Sequence, residues 1–210
     1  MKKSKSGLSK YFSNHIHPRG IIVCPKRKFI YMKATKTAGT SVLRGVLEPK
    51  ISGIIHQKDH PKKFQSWLNR ITDEILEDYF IFAVVRNPWD RVVSISSYFD
   101  IPLSEFLNNF DKYSKDERIR IHSLPLHLYT HNNGQQFVDS ICHFENLQED
   151  MDQVFERIGL PDIQLPYMNP SDHEHYTTYY SAAEIDLVKK LYQKDITYYG
   201  YTFENHEQRE

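Results

Sequence analysis

Cysteine is scarce in this sequence: Cys24 and Cys142 are the two in 210 residues. Two thiols cannot build a disulfide framework, and they read as reduced residues of a cytoplasmic protein. Long apolar runs are missing as well. The longest is Tyr79 to Val85, far short of the ~20 residues that a membrane-spanning helix needs. The basic start, Met1-Lys-Lys-Ser-Lys-Ser-Gly7, has no apolar stretch behind it, so neither a signal peptide nor a transmembrane segment is expected. Internal repeats, low-complexity linkers and nucleic-acid recognition motifs are absent, and no His/Cys/Asp/Glu group has convincing metal-ligand spacing. A nucleic-acid partner and a bound metal are therefore not expected.

What remains is a globular composition, 40% hydrophobic and 26% charged, with 14 Tyr and 12 Phe to fill a core. The 27 basic residues balance the 27 acidic ones overall, but not along the chain. Residues 1–70 hold 16 Lys and Arg against two carboxylates, Glu48 and Asp59, and the remainder is acidic by the same margin. A basic third of this kind suits an anionic ligand. Residues 1–18 read as a flexible basic N-terminal segment, and residues 19–210 as a single domain.

Short β-branched runs at Ile21–Cys24 and Phe29–Met32, joined by Pro25-Lys-Arg-Lys28, predict a hairpin or two adjacent strands. Ile51–Ile55 predicts a further short strand. Tyr79–Val85 is continuous and apolar, as a strand buried on both faces should be. Val138–Phe144 is another. Helical spacing appears after residue 41, in 64–71, from Pro88 to Phe99, in 147–158 and in 182–193. Strands alternating with helices predict an α/β fold, three-layer α/β/α with a mostly parallel central sheet.

Two segments carry the chemistry. In Lys36-Thr-Ala-Gly-Thr-Ser41 a strand leads in and a helix leads out. The first N–H groups of a helix lack helical partners and point at one spot, so such a start binds anions. Thr37, Thr40 and Ser41 add hydroxyls, Lys36 adds a charge, and Ala38 and Gly39 let the backbone close around a phosphate-like group. The plainer alternative is an ordinary capped helix. The kinase pattern G-x-x-x-x-G-K-[ST] is missing, and the strand at Val84-Val85 ends in Arg86 and not in a Mg²⁺ carboxylate. The second segment is Arg86-Asn-Pro-Trp-Asp-Arg-Val-Val-Ser94. An arginine fork with the Ser94 hydroxyl is good phosphate chemistry. The alternative is that Arg86 or Arg91 merely pairs with Asp90 or another carboxylate.

Taken together the two segments resemble the paired nucleotide motifs of sulfotransferases that use 3′-phosphoadenosine 5′-phosphosulfate (PAPS). The likeness is to the family-2 carbohydrate type and its soluble bacterial members. Val138–Leu147, Asn169–Tyr176 and Lys194–Phe203 also look like that family, so the resemblance spans about residues 20–203. It implies a P-loop-like fold. It also implies that Lys36–Ser41 grips the 5′-phosphosulfate, that Arg86 and Ser94 hold the 3′-phosphate, and that Ser171 lies in a loop closing over the nucleotide. The product is then 3′-phosphoadenosine 5′-phosphate (PAP), the acceptor a carbohydrate or glycoconjugate hydroxyl, and no metal is required. His143 stands where the family often has Arg, and Leu126 where it often has Gln.

By role, Lys36 is expected to stabilise the leaving phosphate. His56 is expected to be the general base, with His60 its substitute and Asp59 a distant third. The plainer reading of His56 is a structural histidine at a strand end. His173 and His175 read as solvated or on the nucleotide side, Trp89 as packing, and residues 100–135 as part of the acceptor cleft. Two other functions compete: a P-loop-type nucleotide kinase, and a non-catalytic module binding PAP or polyanions.

Overall fold

The computed structural model describes residues 5–14, 20–166, 168 and 174–203. The chain expected as a single domain groups into two compact units. One comprises Met1–Val85 with Leu128–Met168, the other Arg86–His127 with Asn169–Glu210.

The first unit is built on a five-stranded sheet. Its strands are β1 (Ile21–Cys24), β2 (Phe29–Met32), β3 (Ile55–His56), β4 (Phe80–Val85) and, after a small hairpin of β5 (His131–Asn132) and β6 (Gln135–Gln136), β7 (Ser140–His143). The order is β3-β1-β2-β4-β7. β1 pairs antiparallel with both β2 and β3, while β2–β4 and β4–β7 are parallel. Four strands therefore point one way and β1 alone runs against them. This is the mostly parallel sheet that the alternation of strands and helices predicts. The hairpin at residues 25–28 supplies the reversed strand, closed by Lys28 in a left-handed conformation (φ 49°).

Side chains alternate across the pleat. Ile22, Cys24, Phe29, Tyr31, Phe82, Val84 and Cys142 face a core completed by Val42, Val46, Leu47, Met151, Val154 and Phe155 from helical segments. On the other face Ile21, Val23, Ile30, Met32, Ile81 and Ala83 are equally buried. Both faces are covered, as a three-layer α/β fold requires. The two cysteines are buried and unbridged, and burial pushes the Cys142 thiol up to about 12.

Two expectations need correction. Residues 1–18 are not loose where they are described. Leu8–Asn14 is a helix that buries Leu8, Tyr11 and Phe12, one face at helical spacing. The carboxylate of Asp73 accepts from the N–H groups of Gly7 and Ser9 at its start. Lys5 is buried, donating to the Tyr79 carbonyl and paired with Asp139 at 3.1 Å. The apolar run Ile51–Ile55 is also mostly not strand. It turns through Gly53 (φ +81°), and only Ile55–His56 joins the sheet.

The second unit is helical. Pro88–Tyr98 lies at its centre, packed with Leu103–Asn108, Glu117–Ser123 and Ala182–Leu191 around Trp89, Val92, Ile95, Phe106 and Val188. Trp89 is packing, as expected. It is 3% exposed, and its indole donates to the Ile185 carbonyl.

In the first unit Gly39–Val42 runs through a five-residue π-helical turn, Leu43–Leu47, into Glu48–Lys50. Gly45 sits in that turn under Pro166, and a Cβ there would lie 2.4 Å from the proline Cγ. In an ordinary helix glycine to alanine stabilises by roughly 0.5–1 kcal/mol. Here the sign should reverse. Gly45→Ala is expected to destabilise by about 1–3 kcal/mol, read as a lower denaturation midpoint in urea.

Candidate active site

The Lys36–Ser41 loop leaves the C-terminal end of β2, and the segment 57–60 leaves the C-terminal end of β3. Because β2 and β3 point the same way, both emerge from one edge of the sheet. That edge is where ligands bind in open α/β folds.

Lys36 and Ala38 both adopt left-handed backbone (φ 61° and 54°). Such conformations cost a non-glycine residue roughly 1–2 kcal/mol each. A left-handed residue followed by a helical one turns successive N–H groups to one side, making an anion-binding hollow. The first helical hydrogen bond runs from the Val42 N–H to the Ala38 carbonyl, at 3.1 Å. The N–H groups of Gly39, Thr40 and Ser41 precede it. The loop is braced from within, since Thr37 is fully buried and its hydroxyl donates to the Ala34 carbonyl at 3.1 Å. The Ser41 hydroxyl oxygen accepts from the Met168 N–H at 3.4 Å.

His56 is 7% exposed and lies between two carboxylates. Its Nδ1 is 2.8 Å from Asp59 Oδ2 and its Nε2 is 2.9 Å from Glu48 Oε1. The hydrogen bond from His56 and the charge beside it hold the Asp59 carboxyl below its usual range. His60 lies edge-on to His56, ring centres 5.5 Å apart, and its Nδ1 accepts from the His56 N–H at 3.3 Å. So the three candidates for the base sit together. Glu48 belongs with them although the spacing of the sequence does not mark it. The signal was compositional: the only two carboxylates of the basic third both land on the same histidine.

Lys33 was missed as well. It follows β2 directly, and its side chain lies across Gly39. Burial first, then the charges of Arg44 and Lys58, pull its ammonium below the ordinary lysine value.

Arg86 and Ser94 belong to the second unit, and both are buried. Arg86 follows β4 in the chain. Its Nε and Nη2 grip the two oxygens of Asp90 at 2.7 and 2.9 Å, the i,i+4 pairing that sequence spacing allowed. Asn87 caps the Pro88–Tyr98 helix by accepting from the Trp89 N–H, and donates to the Thr202 carbonyl. Arg91 is 1% exposed and donates to the His122 carbonyl. Ser94 lies farther along the same helix. Ser171 and His173 lie outside the described residues. His175 Nδ1 is 2.8 Å from the Thr177 hydroxyl. The two departures from the common motif have local partners. The carboxylate of Asp150 accepts from the His143 N–H, and that of Asp195 from the Leu126 and His127 N–H groups. Among the described residues no cluster of three or more His, Cys, Asp or Glu could hold a metal ion. Nor is any helix there long and apolar enough to cross a membrane.

The model of the sulfotransferase family, family-2 type, matches residues 19–202, nearly the whole chain. The chain belongs to the sulfotransferase family. An uncharacterized protein of Archaeoglobus fulgidus is 31% identical over 115 residues, which are 53% of this chain and 95% of that protein. No solved structure matches. Family membership brings sulfuryl transfer to an acceptor with it.

Proposed function

We propose that this sulfotransferase takes its sulfuryl group from PAPS and delivers it to a hydroxyl of a carbohydrate or glycoconjugate, in the cytoplasm and without a metal. The observation that carries the reading is the loop of Lys36–Ser41. Two left-handed residues and a helix start turn successive N–H groups to one side, in a loop that carries Lys36 and in a chain of this family. The donor set fits a phosphosulfate, since the loop itself contains no carboxylate.

Bound PAPS supplies an activated sulfuryl group on a good leaving phosphate. The loop holds its 5′ end, so that transfer becomes effectively intramolecular. Lys36 meets the charge that grows on the phosphate oxygen as its bond to sulfur breaks. His56 takes the proton of the acceptor hydroxyl as that oxygen bonds to sulfur. Asp59 accepts from Nδ1–H and so sets the tautomer, and Nε2 becomes the base once its proton has passed to Glu48 and the hydroxyl takes that carboxyl's place. A side chain of Glu48 that is 37% exposed has room to move aside. Arg86 and Ser94 take the 3′-phosphate. Asp90 uses two of the five guanidinium donors and fixes the plane of the fork.

Calorimetric titration with PAP, AMP and ATP, with and without Mg²⁺, tests the nucleotide. Tight binding of PAP that ignores Mg²⁺ is expected, and a Mg²⁺-dependent preference for ATP would sink the reading. Arg86→Ala should weaken PAP about tenfold or more and leave AMP nearly unchanged. Equal weakening of both removes the 3′-phosphate from Arg86. Lys36→Ala should lower kcat ~10²–10³-fold with much of PAP binding retained, and full turnover by this variant refutes its role. His56→Ala should lower kcat ~10²–10⁴-fold. A mild effect there beside a large one at His60→Ala would transfer the role of base.

A further inference from the structure

Lys33 crosses the loop at its glycine. A Cβ on Gly39 would lie 2.7 Å from Lys33 Cε, 3.1 Å from Cγ and 3.3 Å from Nζ. Gly39 does not need its conformational freedom, because its φ lies outside the left-handed region. A side chain there would push the far end of the lysine aside. The ammonium lies beside the start of the helix, where the N–H groups of Gly39, Thr40 and Ser41 precede the first helical bond.

The charges around it do not balance in the usual way. Arg44 and Lys58 repel it, while Asp59 and Glu48 attract it more weakly. Those two carboxylates are engaged with His56 at 2.8 and 2.9 Å. Among the described residues the Lys33 ammonium makes no hydrogen bond and no ion pair within 4 Å. A half-buried cation with two cations for neighbours is costly unless an anion joins it. Nothing in the packing demands a lysine there, since an uncharged chain of the same length would cover Gly39 equally well.

We propose that Lys33 binds the sulfonate oxygens of the donor, as the second cation of the loop beside Lys36. This rests on the PAPS reading above. Lys33 touches the loop at Gly39 and feels the charges of Lys58 and Asp59, which flank His56. The group that passes from the loop toward the base is the sulfuryl group. A cation in this position meets sulfonate oxygens before, during and after transfer. Lys36, on the bridging oxygen, meets charge that appears only as the bond breaks.

The test is Lys33→Met, which keeps the apolar stem over Gly39. Calorimetry with PAPS and with PAP separates the sulfonate from the phosphates. The expected result is PAPS affinity lower by about tenfold or more, with PAP affinity unchanged within about twofold. The melting temperature should equal or exceed that of the wild type, because a desolvated charge has been removed, and this establishes that the variant folds. Equal loss of PAP and PAPS would make Lys33 a phosphate ligand and overturn the proposal. So would no loss of either. If the wild-type protein binds neither nucleotide, the PAPS reading itself fails and the assignment of Lys33 falls with it. That outcome shows in the wild type, whereas a failure confined to Lys33 shows only in the variant.

Discussion

The parallel pairing of β2 with β4, from Phe29 opposite Phe80 to Met32 opposite Ala83, is the constraint on which the first unit depends. Antiparallel neighbours can be joined by a tight turn, but parallel ones need a long crossover. Here the crossover is residues 33–79. It holds Lys33, the left-handed loop, the π-helical turn, Glu48, β3 and His56. The groups assigned to the 5′ end of the donor and to the base are thus products of one connection. β3 returns to the sheet beside β1 and not beside β2, which brings His56 opposite Ile22. The reversed β1 acts as a spacer. It keeps the base segment two strands away from the loop, while both leave from the same edge.

Charge distribution along the chain becomes intelligible in this geometry. In a third of the sequence with 16 basic residues, two carboxylates are few. If they served only solubility they would be scattered, yet both contact one histidine. An imidazole with a carboxylate on each nitrogen is orientated about both axes of its ring plane. Removing either carboxylate leaves a freer ring. The same two groups are the nearest counter-charges to Lys33, but their oxygens face the histidine. These two carboxylates therefore offset little of the positive charge around Lys33, which suits the anionic donor proposed above. Lys5, far from being part of a solvated tail, is paired with Asp139.

Much of the fold was legible because its strands are short β-branched runs bounded by turn residues, and the helix after Ser41 has clear spacing. The illegible parts have physical reasons. Ile51–Ile55 is as apolar as a strand, but Gly53 breaks it, and burial of Ile51 needs no ladder. Leu8, Tyr11 and Phe12 have helical spacing hidden among lysines and serines, and the partner that caps this helix, Asp73, is distant in sequence. Division into two units was invisible, since no linker composition marks Val85–Arg86 or Met168–Asn169. In the candidate site, the loop and Arg86 could be read from local order. The bidentate Arg86–Asp90 pair could too, because i,i+4 spacing is a local matter. Lys33 could not. The course of its stem over Gly39 after the strand ends is marked by no spacing in the sequence.

Gly39 and Gly45 point to a common principle in this helix start. Neither has a left-handed backbone, whereas Lys36 and Ala38 do. The residues that could relieve strain are thus used for close approach, and the strained positions are occupied by residues with side chains. Strain of this kind persists only where the surroundings over-determine it. The surroundings here are specific. Lys33 lies over Gly39, Pro166 over Gly45, Thr37 is bonded to the Ala34 carbonyl, and Ser41 to the Met168 N–H. Four contacts hold one short turn of chain in a conformation it would not choose alone. A loop held in this way presents its N–H groups already orientated, so an incoming anion meets dipoles that need little reorganisation. That is the condition under which hydrogen bonds stabilise a transition state most.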